Sequence, residues 1–314
     1  MINKRVILKG GFGNQLFQWG FAHYLQSLGY RVSLIAYENS RNIRFAKPTS
    51  SQYSQVRELM VGCECIKMET YYLSMPIYRG LRDVQSSWHP FKKIPGFYGN
   101  FESNAFQIIS HKEIARTRNF SGYFQNYKFI ESVEPILVSE LQAYFNRLGF
   151  NHKVNNSGYS NVLHARRGDY AKPSHFSTIG ILSSSYYQNA TNFIDSSPWI
   201  ALTDDPQNIL DITSRIEIEK VLGPLALDTL GALSAMANSS NLIISNSTLA
   251  WWGGLLSIHQ GGRVLAPSPW FRDDTLDRSR GIMHNEFQRV PAEFLGNLAE
   301  YALAQMPNSK KAND

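Results

Sequence analysis

Residues 4–37 read KRVILKGGFGNQLFQWGFAHYLQSLGYRVSLIAY, and the segment types alternate along them. An apolar run at Val6–Leu8 meets a glycine turn. From about Asn14 to Leu28, Phe17, Phe21, Tyr24 or Leu25, and Leu28 then recur at helical spacing, and Gly29 is a natural stop. A second apolar run covers Val32–Tyr37. Strand, helix and strand in so short a span make a βαβ unit, whose crossover helix requires parallel pairing.

Outward from this unit, residues 40–125 carry short aromatic pieces with scattered prolines and basic residues, and loops and variable elements are expected there. GYFQNYKFI (122–130) reads as a strand end or loop entering a helix over about Val133–Leu148. The polar stretch GFNHKVNNSGYSN (149–161) is the best linker candidate. Beyond it a second array follows: strand NVLHAR, helix SSSYYQNATNFI, strand WIALT, a helix around Leu225–Asn238, strand NLIIS, helix LAWWGGLLSI and strand RVLAP. Two doubly wound α/β domains, 1–152 and 153–314, facing each other across a cleft are the economical architecture.

The bulk composition is compatible with this. The chain has 314 residues, of which 43% are hydrophobic, above the length at which single cores usually divide. No run is long and apolar enough for a membrane span, and the first residues lead at once into a strand, so no signal peptide is expected. Cys63 and Cys65 are the only cysteines, too close together for an ordinary disulfide and without the second pair of a zinc site. Sequon-like triplets begin at Asn119, Asn189 and Asn246, the last within a candidate site, and together these features favour a reducing cytoplasm. The net charge of +6 is spread along the chain, so it does not demand nucleic acid and equally suits a cleft for an anionic nucleotide.

Four motifs carry candidate chemistry. In VLHARRGDY (162–170) the strand period places His164 and Arg166 on one side and Ala165 and Arg167 on the other, and Gly168 permits a sharp turn. An arginine at the carboxyl end of a strand can grip a diphosphate bidentately, while Asp169 orients an arginine or acts as a base; alone, the motif reads first as a surface salt bridge, and its company with the other motifs turns it towards the diphosphate. GGFGNQLFQ (10–18) has Gly11 and Gly13 of a dinucleotide fingerprint but Leu16 in place of the third glycine, which disfavours an NAD enzyme. Asn14 and Gln15 there stand at a helix N-terminus suited to an anion or a polar sugar, or simply to capping. IISNSTLAWWGG (243–254) offers Ser245, Asn246, Ser247 and Thr248 as caps or as donors to phosphate and ribose, with Trp251 and Trp252 as core or cleft wall. WIALTDDP ends a strand with Asp204 and Asp205, adjacent rather than spaced like a metal-binding pair, so no metal is expected and Asp204 is a nucleotide contact candidate. Hydrolase elbows, phosphate-binding P-loops and helical histidine pairs are absent from the sequence.

Taken in order, GGFGNQLFQ, GYFQNYKFI, HARRGDY, TDD and SNSTLAWWGG resemble the family 11 glycosyltransferases, the α-1,2-fucosyltransferases, and the resemblance extends from about residue 6 to PSPWF near residue 272. It implies a GT-B type fold with an N-terminal acceptor-side domain and a C-terminal domain binding GDP-fucose. It also implies an inverting, metal-independent transfer of fucose to the 2-hydroxyl of a β-galactoside, with GDP-fucose as co-substrate and no cofactor. On that resemblance the catalytic candidates are Arg166, Asp169 and Asn14. The donor-binding set is His164, Arg166, Arg167, Gly11, Gly13, Asn14, Asp204 and Ser245, Asn246, Ser247 and Thr248, with Gln15, Tyr123 and Gln125 on the acceptor side. The setting expected is bacterial surface polysaccharide (O-antigen, lipopolysaccharide) synthesis in the cytoplasm, with room for peripheral association with the inner membrane face. The sequence departs from the family pattern at Ala165, where a larger aliphatic is usual, at Phe12, where leucine is common, and at Asp228, a loose match to an expected acid. A transferase of another linkage, such as α-1,3, or acceptor, and a non-catalytic nucleotide or glycan binder, are the competing readings.

Overall fold

The structure, a computed structural model, describes residues 3–39, 54–61, 66–73, 97–99, 108–150, 159–274 and 281–306. It divides into two compact units, residues 1–149 with 279–283, and residues 150–278 with 284–314. The expected boundary at 152/153, Cys63 and Cys65 lie outside the described residues.

The first unit is built on the opening βαβ. Strand β1 (Asn3–Ile7) pairs in parallel with β2 (Arg31–Asn39), in register from Asn3 opposite Arg31 to Ile7 opposite Ile35. Helix α1 (Phe12–Ser27) connects them, starting two residues earlier than its apolar spacing suggests. Leu16, Phe17, Phe21, Ala22 and Leu25 are buried together with Gln15, Gln18 and His23, so α1 is enclosed on most of its faces rather than along one stripe. Phe21 stacks on Phe124 at 4.1 Å and meets Phe120 and Phe129 edge-on. The helix ends as its glycine predicts: Gly29 takes φ +86, its N–H bonds the Gln26 carbonyl, and the Tyr30 N–H reaches the Leu25 carbonyl. The sheet continues through β3 (Ile66–Leu73), β4 (Phe97–Gly99) and β5 (Asn119–Ser121) in the order β3-β2-β1-β5-β4, all parallel.

The region 40–125, where loops and variable elements are expected, thus contributes three parallel strands to this sheet. Strand β3 pairs residue by residue with Val32 through Asn39 of β2, yet its sequence IKMETYYL mixes charged, polar and aromatic residues and lacks the apolar run that marks a central strand. After β5 the chain makes a loop and a short helix, Lys128–Glu131, before the expected long helix, here Glu134–Arg147.

In the second unit the strands are β6 (Asn161–Ala165), β7 (Trp199–Thr203), β8 (Ile218–Leu222), β9 (Asn241–Ile243), β10 (Arg263–Ser268) and β11 (Gln288–Pro291). Their spatial order is β11-β10-β9-β6-β7-β8, again all parallel. The chain thus steps outward from β6 to β8, then returns to lay β9 on the other side of β6 and steps outward again. Right-handed crossovers put the helices of the two halves on opposite faces, which makes this a doubly wound sheet. Both β6 and β7 are buried at every residue, as expected of strands covered on both faces. Their core includes Leu163, Tyr186, Tyr187, Trp199, Ala201, Ile212 and Ile243. Two parallel α/β units of this kind are the make-up expected of a GT-B type chain.

Candidate active site

In an open α/β sheet, ligands gather outside the carboxyl ends of the strands where the strand order reverses, because the loops there diverge and leave a crevice. In the second unit that place lies between β6 and β9. It is spanned by a buried hydrogen bond of 2.8 Å between His164 Nδ1 and Ser245 Oγ, which ties the end of β6 to the loop after β9. Burial and the neighbouring Arg166 push the His164 pKa down to about 3, so the imidazole is neutral. It serves the site as a fixed polar strut rather than as a charge.

Beyond His164 the two arginines part company. Arg166 keeps 31% of its side chain exposed. Its Nε and Nη2 donate to Asp169 Oδ1 at 3.2 and 2.6 Å, Nε also lies 3.2 Å from Asp204 Oδ2, and the guanidinium sits 5.5 Å from the Tyr170 ring centroid. Burial opposes its charge, yet Asp204, Tyr170 and Asp169 raise its pKa, so the cation persists at any working pH. Among the described residues nothing pairs with Nη1, which leaves one edge of the fork open.

Arg167 points the other way and is completely buried. Its Nη1 donates to the Leu182 carbonyl at 2.7 Å and its Nη2 to Asp211 Oδ2 at 2.9 Å, while its backbone N–H donates to Asp204 Oδ1 at 2.8 Å. One Asp204 carboxylate therefore holds both arginines, the first by its side chain and the second by its backbone. A Cβ at Gly168 would run into that carboxylate, so only glycine admits Asp204 here.

Asp205 precedes a short 3-10 turn and accepts from Asn208 Nδ2 at 2.7 Å, a turn-forming role. On the β9 side, Asn246 spends its amide on the Ile179 and Gly180 carbonyls, and its own carbonyl accepts from the Tyr170 hydroxyl at 3.1 Å. Ser247 stands at the N-cap of the helix Thr248–Ile258, but its side chain makes no capping bond, so the helix N-terminus is left uncapped by that hydroxyl. Trp251 and Trp252 are fully buried in the core. Asp228 caps the helix Thr229–Ala237 by accepting from the Gly231 N–H at 2.7 Å.

The first unit has its own reversal point, between β1 and β5. Gly10 there adopts φ +76, and the loop folds over α1. Gln15 is buried and donates to the Gly10 carbonyl at 2.8 Å, whereas Asn14 Oδ1 accepts from Gln125 Nε2 at 2.8 Å. Gln18, which sequence reasoning gave no role, clamps both loops: it accepts from the Lys9 N–H at 2.9 Å and donates to the Lys9 and Gly122 carbonyls. Lys9 Nζ lies 4.4 Å from the Tyr123 ring centroid. Phe124 holds a left-handed φ of +51, uncommon for a bulky residue, while stacked on Phe21. Gly13 is buried within α1; a side chain at Gly11 would meet nothing within 4 Å.

The sequence profile of glycosyl transferase family 11 matches residues 4–287, the span that carries both reversal points. The chain belongs to this family. Two Escherichia coli proteins are similar along most of their length. The O-antigen biosynthesis glycosyltransferase WbnK is 24% identical over 84% of this chain and 93% of its own. An alpha-1,2-colitosyltransferase is 23% identical over 86% of this chain and 93% of its own. Among solved structures, the E. coli ADP-heptose lipopolysaccharide heptosyltransferase II aligns with 97% of this chain and 98% of its own at 12% identity, with a TM-score of 0.46.

This family 11 glycosyltransferase thus brings His164, Arg166, Asp204 and Ser245–Thr248 to the carboxyl ends of the central strands of one sheet, and Gly11, Asn14, Gln15, Tyr123 and Gln125 to those of the other. Tyr170, Asp211 and Gln18 escaped sequence reasoning. Tyr170 lay inside a quoted motif with no chemical signature, Asp211 is far in sequence from the arginine it neutralises, and Gln18 looks like any helical amide. Among the described residues no group of three or more His, Cys, Asp or Glu side chains is placed to hold a metal ion, and no helix is long and apolar enough to cross a membrane.

Proposed function

We propose that this glycosyltransferase transfers L-fucose from GDP-β-L-fucose, with inversion, to the 2-hydroxyl of a terminal β-galactoside. The observation that carries the donor half is Arg166: a permanently charged fork, locked on one edge by Asp169 and Asp204 and open on the other, at the crevice where a doubly wound sheet receives its ligand. A diphosphate seated against the open edge accepts two charge-assisted bonds. The N-terminus of the helix Thr248–Ile258, where the Ser247 hydroxyl makes no capping bond, supplies further donors on the β9 side.

In the reaction the acceptor 2-oxygen forms a bond to the anomeric carbon from the face opposite the diphosphate. The carbon–oxygen bond to phosphate breaks, GDP departs with the electron pair, and the acceptor loses its proton to a base. Arg166 stabilises the charge that develops on GDP. Asp169 and Asp204 aim Arg166, and His164 and Asn246 brace the loops around it rather than touching phosphate through charge. Arg167 belongs in this reading to the framework, since its side chain is enclosed. Asn14, Gly11, Tyr123 and Gln125 are the residues of the first unit that this reading assigns to the sugar and acceptor. The positive charge that a divalent ion would supply comes from Arg166 and the helix terminus, so activity in excess chelator is the expected outcome.

The 2-linkage is supported by the family and by the relative with α-1,2-colitosyltransferase activity. A role in cytoplasmic assembly of a bacterial surface polysaccharide is supported by the O-antigen relative. The colitosyltransferase also favours a second reading, in which the sugar moved is colitose. Calorimetric titration of GDP tests the donor half. Arg166→Ala should weaken GDP binding at least about tenfold, the scale of a lost charge-assisted bond, and Arg166→Lys should recover little because the fork is gone. Wild-type affinity in the alanine variant contradicts the proposal.

A further inference from the structure

The family match ends at residue 287, yet the segment beyond it reaches the arginine pair. In the C-terminal helix Leu298–Ala304 and the residue after it, Gln305 turns its side-chain amide onto the start of the helix Leu210–Thr213. Its Oε1 accepts from the Leu210 N–H at 2.9 Å and its Nε2 donates to Asp211 Oδ1 at 3.1 Å. The other Asp211 oxygen, Oδ2, is the one that accepts from Arg167 Nη2 at 2.9 Å. Both oxygens of this buried carboxylate are therefore engaged, one by the C-terminal segment and one by the arginine.

A guanidinium with no exposed surface is tolerated only when its charge is paired and its donors are met, and removing one partner leaves an uncompensated charge. Arg167 has its charge paired with Asp211 and its two terminal nitrogens met by Asp211 and the Leu182 carbonyl, with the Tyr187 ring 5.9 Å away. Its buried Nε has no hydrogen-bond partner among the described residues, which makes the guanidinium depend the more on Asp211. Its anchored side chain fixes where its own backbone N–H points, and that N–H holds Asp204 Oδ1. Asp204 Oδ2 in turn faces Arg166 Nε. The contacts form one chain: Gln305 to Asp211, Asp211 to Arg167, Arg167 to Asp204, Asp204 to Arg166.

We propose that Gln305 and Asp211 are positioning residues for the donor site, and that the C-terminal segment sets the aim of Arg166 through the buried Arg167. The inference rests on the reading of Arg166 as the diphosphate contact. Its signature is coupling: Gln305 should matter to the donor only while Arg166 is present. A residue that merely holds the terminal helix down would lower thermal stability and leave donor affinity alone.

The test is a double-mutant cycle read by calorimetric titration with GDP and by steady-state kinetics. Gln305→Leu, which keeps the volume and removes both bonds, should weaken GDP binding about fivefold and raise the donor KM, with the acceptor KM unchanged. In an Arg166→Ala background the same substitution should cause no further loss. Unchanged GDP affinity in Gln305→Leu, or an equal loss with and without Arg166, overturns the inference. Wild-type GDP binding by Arg166→Ala alone overturns instead the donor reading beneath it. Should Gln305→Leu fail to fold, Gln305→Asn, one methylene too short to span both partners, is held to the same expectations.

Discussion

At the scale of single residues, the site depends on side chains whose neighbours fix their charge state. His164 is held neutral by burial, with its pKa at about 3 against an ordinary 6.5. Between those values the unfolded chain binds a proton that the folded chain refuses, so stability is whole above the ordinary value and falls as the pH drops through this window. His164→Gln, which removes the titration and keeps a polar atom, should lose less Tm than the wild type between neutral pH and pH values near 4. Equal losses in the two proteins would show that the titrating group lies elsewhere. Gly11 makes a complementary case, because a side chain there meets only open space. Gly11→Ala should leave Tm unchanged and lower kcat/KM if a substrate fills that space; unchanged kinetics would remove Gly11 from the site. Adjacent positions continuing a strand predict that Arg166 and Arg167 point to opposite sides, and they do so just past the end of β6. Which side was interior was not legible, because the partner that neutralises Arg167, Asp211, lies forty-four positions away and reaches it only through tertiary folding.

At the scale of elements, the helices behind the site are set by close approach. A Cβ at Gly253 would stand 2.6 Å from the Met236 Cβ, so the helix Thr248–Ile258 packs on the helix Thr229–Ala237 with no room for a methyl group. The obstructing atom is next to the backbone and cannot swing aside. Gly253→Ala should destabilise the protein by about 1–3 kcal/mol, the usual cost of overpacking, visible as a lower Tm; an unchanged Tm would mean that these helices separate freely. The central strands were legible in the sequence, as β1, β2, β6, β7, β9 and β10 each carry or adjoin an apolar run. The edge strands were not. Strand β8 exposes Glu219 and Lys220, and β11 is buried only at Val290. Short charged strands protect a sheet edge from further pairing, and the same charges erase the periodic signal from which strands are read.

At the scale of the whole molecule, two parallel α/β units each present polar residues at a reversal of strand order, and a transferase needs separate places for a donor and an acceptor. Motif order was sufficient to recognise the family because each motif falls at a strand's carboxyl end, where function accumulates in this architecture. Acceptor choice was not legible: the stretch between β2 and β5 has neither regular periodicity nor charged motifs that name a sugar. The most direct measurement of the central claim is to incubate the purified protein with GDP-fucose and a simple β-galactoside and to locate the new bond by NMR. The account predicts a single α-fucose whose anomeric proton correlates with galactose carbon 2. A fucose on another galactose carbon, a β-fucoside, or GDP-fucose bound without any transfer would contradict it.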